Sequence, residues 1–175
     1  MTHQPTHQTW AVGALRDPVV VLVTLGGSGF LPKAPGTWGS VVTLGLWWLL
    51  VPWLGLVSEL GWLLILALAT LLGVWAIAVV QRRYGVVDAG EIVIDEFAGM
   101  GIALLWLPAL WWAPLLAFAV FRLFDVAKPW PVSWADRQHT PVGVMLDDLI
   151  AGLGALVVVQ VAVFVFTDAS RWQLL

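Results

Sequence analysis

Long apolar runs alternate with short polar clusters along this chain. Residues 41–57 and 60–80 are apolar, and only Ser58 and Glu59 separate them. Each is long enough for a membrane helix, so the pair predicts a helical hairpin. Residues 97–120 and 149–166 are apolar as well, and no charged residue falls in 97–121 or 149–167. Residues 19–25 form an apolar run too short to span. The Gly- and Pro-rich segment 26–40 reads as a turn-rich loop. The pattern predicts an all-α, polytopic, membrane-associated helical bundle. Residues 1–17 are expected to be a flexible polar lead, and residues 18–175 a single domain.

The segment 97–120 raises a geometric problem. Crossed once, it would place Asp95 and Glu96 on one side of a bilayer and Asp125 on the other. Pro108 and Pro114 interrupt it, and each proline removes a helix hydrogen bond. Each half falls short of the ~20 residues needed to span. A broken, re-entrant hairpin is therefore predicted, with both acidic ends on one face. The last helix has a clear start: Thr140 can cap it and Pro141 can take its first position. Asp147 and Asp148 then fall in its second turn. Ala151, Gly152, Gly154 and Ala155 give it a flank of small residues that suits close packing, including a homodimer.

Composition strengthens the membrane reading. Hydrophobic residues make up 61% of the 175, and charged residues 11%. Soluble domains carry about a quarter charged residues, and the mean hydropathy here is +0.92. Trp47, Trp48, Trp62, Trp106, Trp111, Trp112 and Trp172 lie near the ends of apolar runs and suggest an interfacial belt. Net charge is −3 without a basic block, which disfavours nucleic acid as a partner. With no Cys, disulfides, thiolate metal sites and a cysteine nucleophile are excluded. The first ten residues lack a basic n-region, so no signal peptide is expected.

Against this apolar background the acids stand out. Asp95, Glu96, Asp125, Asp147 and Asp148 sit at the edges of apolar helices, where desolvating a carboxylate is costly. One shared divalent cation would compensate several at once. Hard oxygen donors without Cys or clustered His point to Mg²⁺ rather than zinc. His3, His7 and His139 are too scattered for a zinc site. The rival arrangement is an ion-pair network with the local bases, and the residues alone leave both open. Arg122 lies three residues before Asp125 on one helix face, Lys128 precedes Pro129, and Arg137 follows Asp136. Cations beside metal-binding acids suit a phosphorylated substrate. In the loop, Lys33, Thr37 and Ser40 lie among glycines that permit close backbone approach. The P-loop ending is absent there.

These blocks resemble a known family. Gly27-Ser-Gly-x₂-Pro-x₂-Pro-Gly-Thr-x-Gly-Ser40, Asp95-Glu-Phe-x-Gly-Met100, Phe121-Arg-x₂-Asp-x₂-Lys-Pro-Trp-Pro131, Asp136-Arg137 and Gly143-x-Met-x-Asp-Asp-x₂-Ala-Gly152 are similar, in order, to phosphatidylglycerophosphatase A. The resemblance covers roughly residues 26–155. It implies an all-helical, Mg²⁺-dependent lipid phosphatase that converts phosphatidylglycerophosphate to phosphatidylglycerol. Its place would be the cytoplasmic face of a bacterial inner membrane, among membrane lipids.

On that basis Asp95, Glu96, Asp147 and Asp148 are expected to hold the metal, with Asp125 as a further ligand or general base. Asp95, Asp125 and Asp147 are the expected catalytic residues. Lys128, Arg122, Lys33, Thr37, Ser40 and Arg137 are expected to bind substrate. The residues leave two routes open: direct attack of water on phosphorus, and an aspartyl-phosphate at Asp125 or Asp147. The main alternative is a small transporter or channel with an acidic cation site, since intramembrane charge also marks ion paths.

Overall fold

The computed structural model describes residues 12–53, 55, 57–86 and 89–167, and every structural statement below concerns these. Helices α1 (Pro18–Val23), α2 (Pro35–Trp48), α3 (Glu59–Tyr84), α4 (Ile94–Ala103), α5 (Ala113–Ala127), α6 (Val132–Asp136) and α7 (Pro141–Phe166) carry the fold. No strand occurs among the described residues, so the all-α expectation holds.

Local chemistry sets the helix boundaries. The Asp17 carboxylate accepts from Val19 N, with Pro18 next to it in the first turn of α1. Ser58 caps α3 by accepting from Gly61 N, and Gly85 ends that helix in the left-handed conformation at φ 67°. Thr140 accepts from Gly143 N at the start of α7, as its sequence predicts. Asp17 was expected in a flexible lead, but it is tied down. It pairs with Arg83 at 2.8 Å and accepts from the Tyr84 hydroxyl at 3.1 Å.

Helices α3 and α7 have 26 residues each and are long and apolar enough to cross a membrane. Each is ~39 Å long at 1.5 Å per residue. Their outer faces expose Leu60, Leu64, Leu68 and Leu71 on α3, and Val157, Val161 and Phe164 on α7. An apolar surface all round a helix suits hydrocarbon better than water. The helix expected over 41–57 is different. It begins earlier, at Pro35, and its α-geometry stops at Trp48, where a π-turn carries the chain to Trp53. Pro52 lies in that turn and has no N–H to continue the ladder.

The segment 97–120 breaks as expected. Helix α4 stops at Ala103, Pro108 lies in the connecting turn, and Pro114 occupies the first turn of α5. Side chains from two other helices satisfy the freed backbone of this turn. Glu59 Oε2 accepts from Trp106 N at 3.1 Å. Gln160 Nε2 donates to the carbonyls of Leu105 and Trp106, at 3.2 and 3.0 Å. The turn therefore lies level with the first residue of α3.

The tryptophans do not form one belt. Trp48, Trp106 and Trp111 are exposed, but Trp47 and Trp62 are only 4% and 1% exposed. Trp62 belongs to the core: its indole donates to Gly101 O at 3.1 Å, and its ring meets Phe97 edge-on at 5.9 Å. Trp172 lies outside the described residues.

Candidate active site

Helix α4 carries Asp95 and Glu96 in its first turn, and α7 carries Asp148 in its second. Glycines bring the two helices together. A β-carbon on Gly152 would collide with Gly99 O, and one on Gly99 would collide with Asp148 O. Backbones this close leave no room for intervening side chains. As a result, one carboxylate oxygen from each of Asp95, Glu96 and Asp148 lies within 4.8 Å of the others.

Three such groups need a counter-charge. Burial, and then the adjacent Glu96 charge, pushes the Asp95 carboxyl well above its usual range. Glu96 is pushed up to about 8, by burial first and then by the charges of Asp148 and Asp125, against opposing contributions from Asp95 and Arg122. Its Oε2 is buried with no hydrogen-bond partner. An orphaned carboxylate oxygen beside two more carboxylates fits a hard divalent cation such as Mg²⁺.

The remaining acids pair with bases. Arg122 forms an ion pair with Asp125, and its Nη1 lies 4.0 Å from Glu96 Oε1. Asp125 also comes within hydrogen-bonding reach of Asp148. Lys128 ends α5 in the left-handed conformation at φ 44°. That turn aims its ammonium at Asp136, with which it pairs, and at Asp147 Oδ2, 2.9 Å away. Asp147 thus faces Lys128 rather than the three converging carboxylates. A cluster of three carboxylates with the spacing for a cation and an ion-pair network stand side by side.

The loop 26–40 reaches the site through the first turn of α2. A β-carbon on Gly36 would land on Glu96 Oε1 and come within 3.0 Å of Arg122 Nη1. Thr37 is half-buried in the same turn, while Lys33 is exposed just before it. Ser40 needs a correction as a substrate ligand. It is fully buried, and its hydroxyl donates to Gly36 O at 2.9 Å, so it presents nothing to a phosphate. Arg137 and His139 are exposed after α6. Gly99 was not singled out for its packing role, although it sits in an acid-led motif at the start of an apolar run. Gln160 also positions the turn after α4; its signal in the sequence is that it is the one polar residue in the apolar run 149–166.

The family model of phosphatidylglycerophosphatase A matches residues 21–163. A phosphatidylglycerophosphatase A from Escherichia coli is 39% identical, over 87% of this chain and 89% of its own length. One from Haemophilus influenzae is also 39% identical, over 83% of this chain and 89% of its own. A Bacteroides thetaiotaomicron relative, 36% identical over 81% of this chain and 92% of its own, carries a provisional name as a phosphatidylinositol-3-phosphatase. No solved structure matches. With the match covering most of its length and every acid of the site, the chain belongs to the phosphatidylglycerophosphatase A family.

Proposed function

We propose that this phosphatase removes the terminal phosphate of phosphatidylglycerophosphate, giving phosphatidylglycerol and inorganic phosphate, with Mg²⁺ held by Asp95, Glu96 and Asp148. The convergence of these three carboxylates around a partnerless Glu96 oxygen carries the reading. When bound, the cation supplies positive charge to the non-bridging phosphate oxygens.

The chain's own groups do the rest. Arg122, held between Glu96 and Asp125, orients the phosphate beside the carboxylates. Asp125 pairs with Arg122 and stands next to Asp148. It takes the proton from the water that attacks phosphorus in line with the leaving glycerol oxygen, and that oxygen departs as a hydroxyl by taking a proton from solvent. Lys128 fixes the second turn of α7 through Asp147, which sets the position of Asp148. Gly36 leaves open the side of Glu96 that faces α2, where a side chain would intrude.

The membrane setting extends the same reading. On this reading α3 and α7 cross the bacterial inner membrane, and the bases Arg82, Arg83, Arg122, Lys128 and Arg137 support a cytoplasmic acidic site by the positive-inside rule. The reaction supplies phosphatidylglycerol to phospholipid synthesis. The test is phosphate release by the purified protein in detergent, first with Mg²⁺ and then with EDTA. Release from phosphatidylglycerophosphate that EDTA stops is the expected result. Release from phosphatidylinositol 3-phosphate alone would move the substrate to a different headgroup, and EDTA-resistant release would remove the metal.

A further inference from the structure

An apolar cavity lies away from the carboxylates, between α2 and α5. Its volume is about 640 Å³, within the ~300–1,000 Å³ of small-molecule sites. Val41, Leu44, Gly45 and Trp48 form one wall; Pro114 and Leu115 form another, and the turn after α4 closes its far end. The lining is hydrocarbon and indole, with no charged side chain.

Its position ties it to the site. Gly36, in the first turn of α2, lies against Glu96 and Arg122. From there the cavity wall runs from ~7 Å along the axis, at Val41, to ~18 Å, at Trp48. Helix α5 runs the opposite way, and Pro114 and Leu115 lie ~10–12 Å from Arg122 along it. The same two helices therefore frame the headgroup site at one end and the apolar groove further on. Trp47 adds an independent sign of an occupant. It lines the groove, and its buried indole nitrogen has no hydrogen-bond partner.

We infer that this groove seats an acyl chain of the phospholipid substrate whose terminal phosphate lies at Asp95, Glu96 and Asp148. This rests on the lipid-phosphatase reading above and adds how the lipid is held. In phosphatidylglycerophosphate about twelve bonds separate the terminal phosphorus from the first acyl carbonyl carbon. Fully extended, that is ~14 Å at ~3.5 Å per three bonds. The ester therefore arrives level with the groove. The first methylenes then run between α2 and α5, and the rest of the chain leaves past Trp48 and Trp111 into the bilayer.

Gly45 provides the test, because a β-carbon there meets nothing within 4 Å. Gly45→Leu fills the groove without disturbing the fold, since leucine also favours a helix more than glycine does. Activity is measured in mixed micelles at fixed surface concentration, on dipalmitoyl phosphatidylglycerophosphate and on its deacylated headgroup, glycerophosphoglycerophosphate. For the lipid, kcat/KM should fall about tenfold, as expected from losing burial of about two methylenes. For the headgroup it should not change. An equal fall on both substrates, or no change on either, overturns the groove. A wild-type protein inactive on both refutes the phosphatase reading instead. The groove is then decided by a photoreactive acyl-chain analogue of the lipid. Labelling of residues 41–48 and 108–115 supports it; labelling confined to the outer faces of α3 and α7 overturns it.

Discussion

The carbonyl oxygen of Gly99 occupies the space that a β-carbon on Gly152 would need. This contact sets the spacing of α4 and α7, and therefore the distance between Asp95, Glu96 and Asp148. Gly152→Ala should push the helices apart at a cost of about 1–3 kcal/mol. The apparent Mg²⁺ affinity should fall even though every carboxylate is still present. Gly45→Ala is the matched control, because its surroundings are open. Thermal melting and Mg²⁺ titration of both variants check this. Unchanged values for Gly152→Ala would show that the contact does not govern the site.

Asp95→Asn and Asp148→Asn should each lower kcat at least ~100-fold, the scale of losing one well-placed electrostatic group. Each removes a charge from a crowded buried cluster, so the metal-free protein should melt no lower than the wild type. A folded variant with full activity would remove that residue from the site.

The Glu96 carboxyl gives a pH dependence with a definite sign. Its folded-state value, about 8, lies above its ordinary value of 4.5. The folded state therefore holds this proton more tightly than the unfolded state. The resulting stability is fully present below pH 4.5 and is lost as pH rises through about 8. In EDTA the melting temperature should decline across this window, and Mg²⁺ should reverse the decline most strongly at its upper end. A flat profile in EDTA would contradict the burial of this group.

Lys128 joins α5, α6 and α7 through Asp136 and Asp147. Lys128→Met leaves a buried Asp147 without its cation and should destabilise by about 1.5–3 kcal/mol. Adding Asp147→Asn should recover part of that loss. Denaturant unfolding of both single variants and the double variant measures the coupling. Strict additivity would mean that the pair contributes nothing beyond its separate residues.

Direct attack by water and an aspartyl-phosphate route differ at phosphorus. One in-line displacement inverts its configuration, and two restore it. With a chiral thiophosphate substrate, inversion is expected. Retention would make Asp125 or Asp147 a nucleophile.

Much of this architecture was readable from residue order. Thr140 and Pro141 mark the start of α7, and Pro108 and Pro114 mark the break in 97–120. Both signals are local, because caps and missing N–H groups act within one turn. The division of the acids was not readable. Asp147 and Asp148 are neighbours, yet one faces Lys128 and the other faces α4. That split depends on the rotation of α7 and on Lys128 adopting a positive φ, neither of which a one-dimensional pattern encodes. Ser40 and Trp62 show the same limit. A hydroxyl among glycines and an indole near a helix end each have an outward and an inward solution; Ser40 turns back onto Gly36 of its own helix, and Trp62 turns inward onto Gly101 of α4.

The bonds from Gln160 to the turn after α4 bear on how the protein is made. The ribosome finishes α4 and α5 well before Gln160 is polymerised, so until then the carbonyls of Leu105 and Trp106 lack this donor. Asp148 likewise joins Asp95 and Glu96 only on arrival of α7. On the proposed reading, a nascent chain stalled before α7 should be catalytically silent despite an intact Asp95–Glu96 motif.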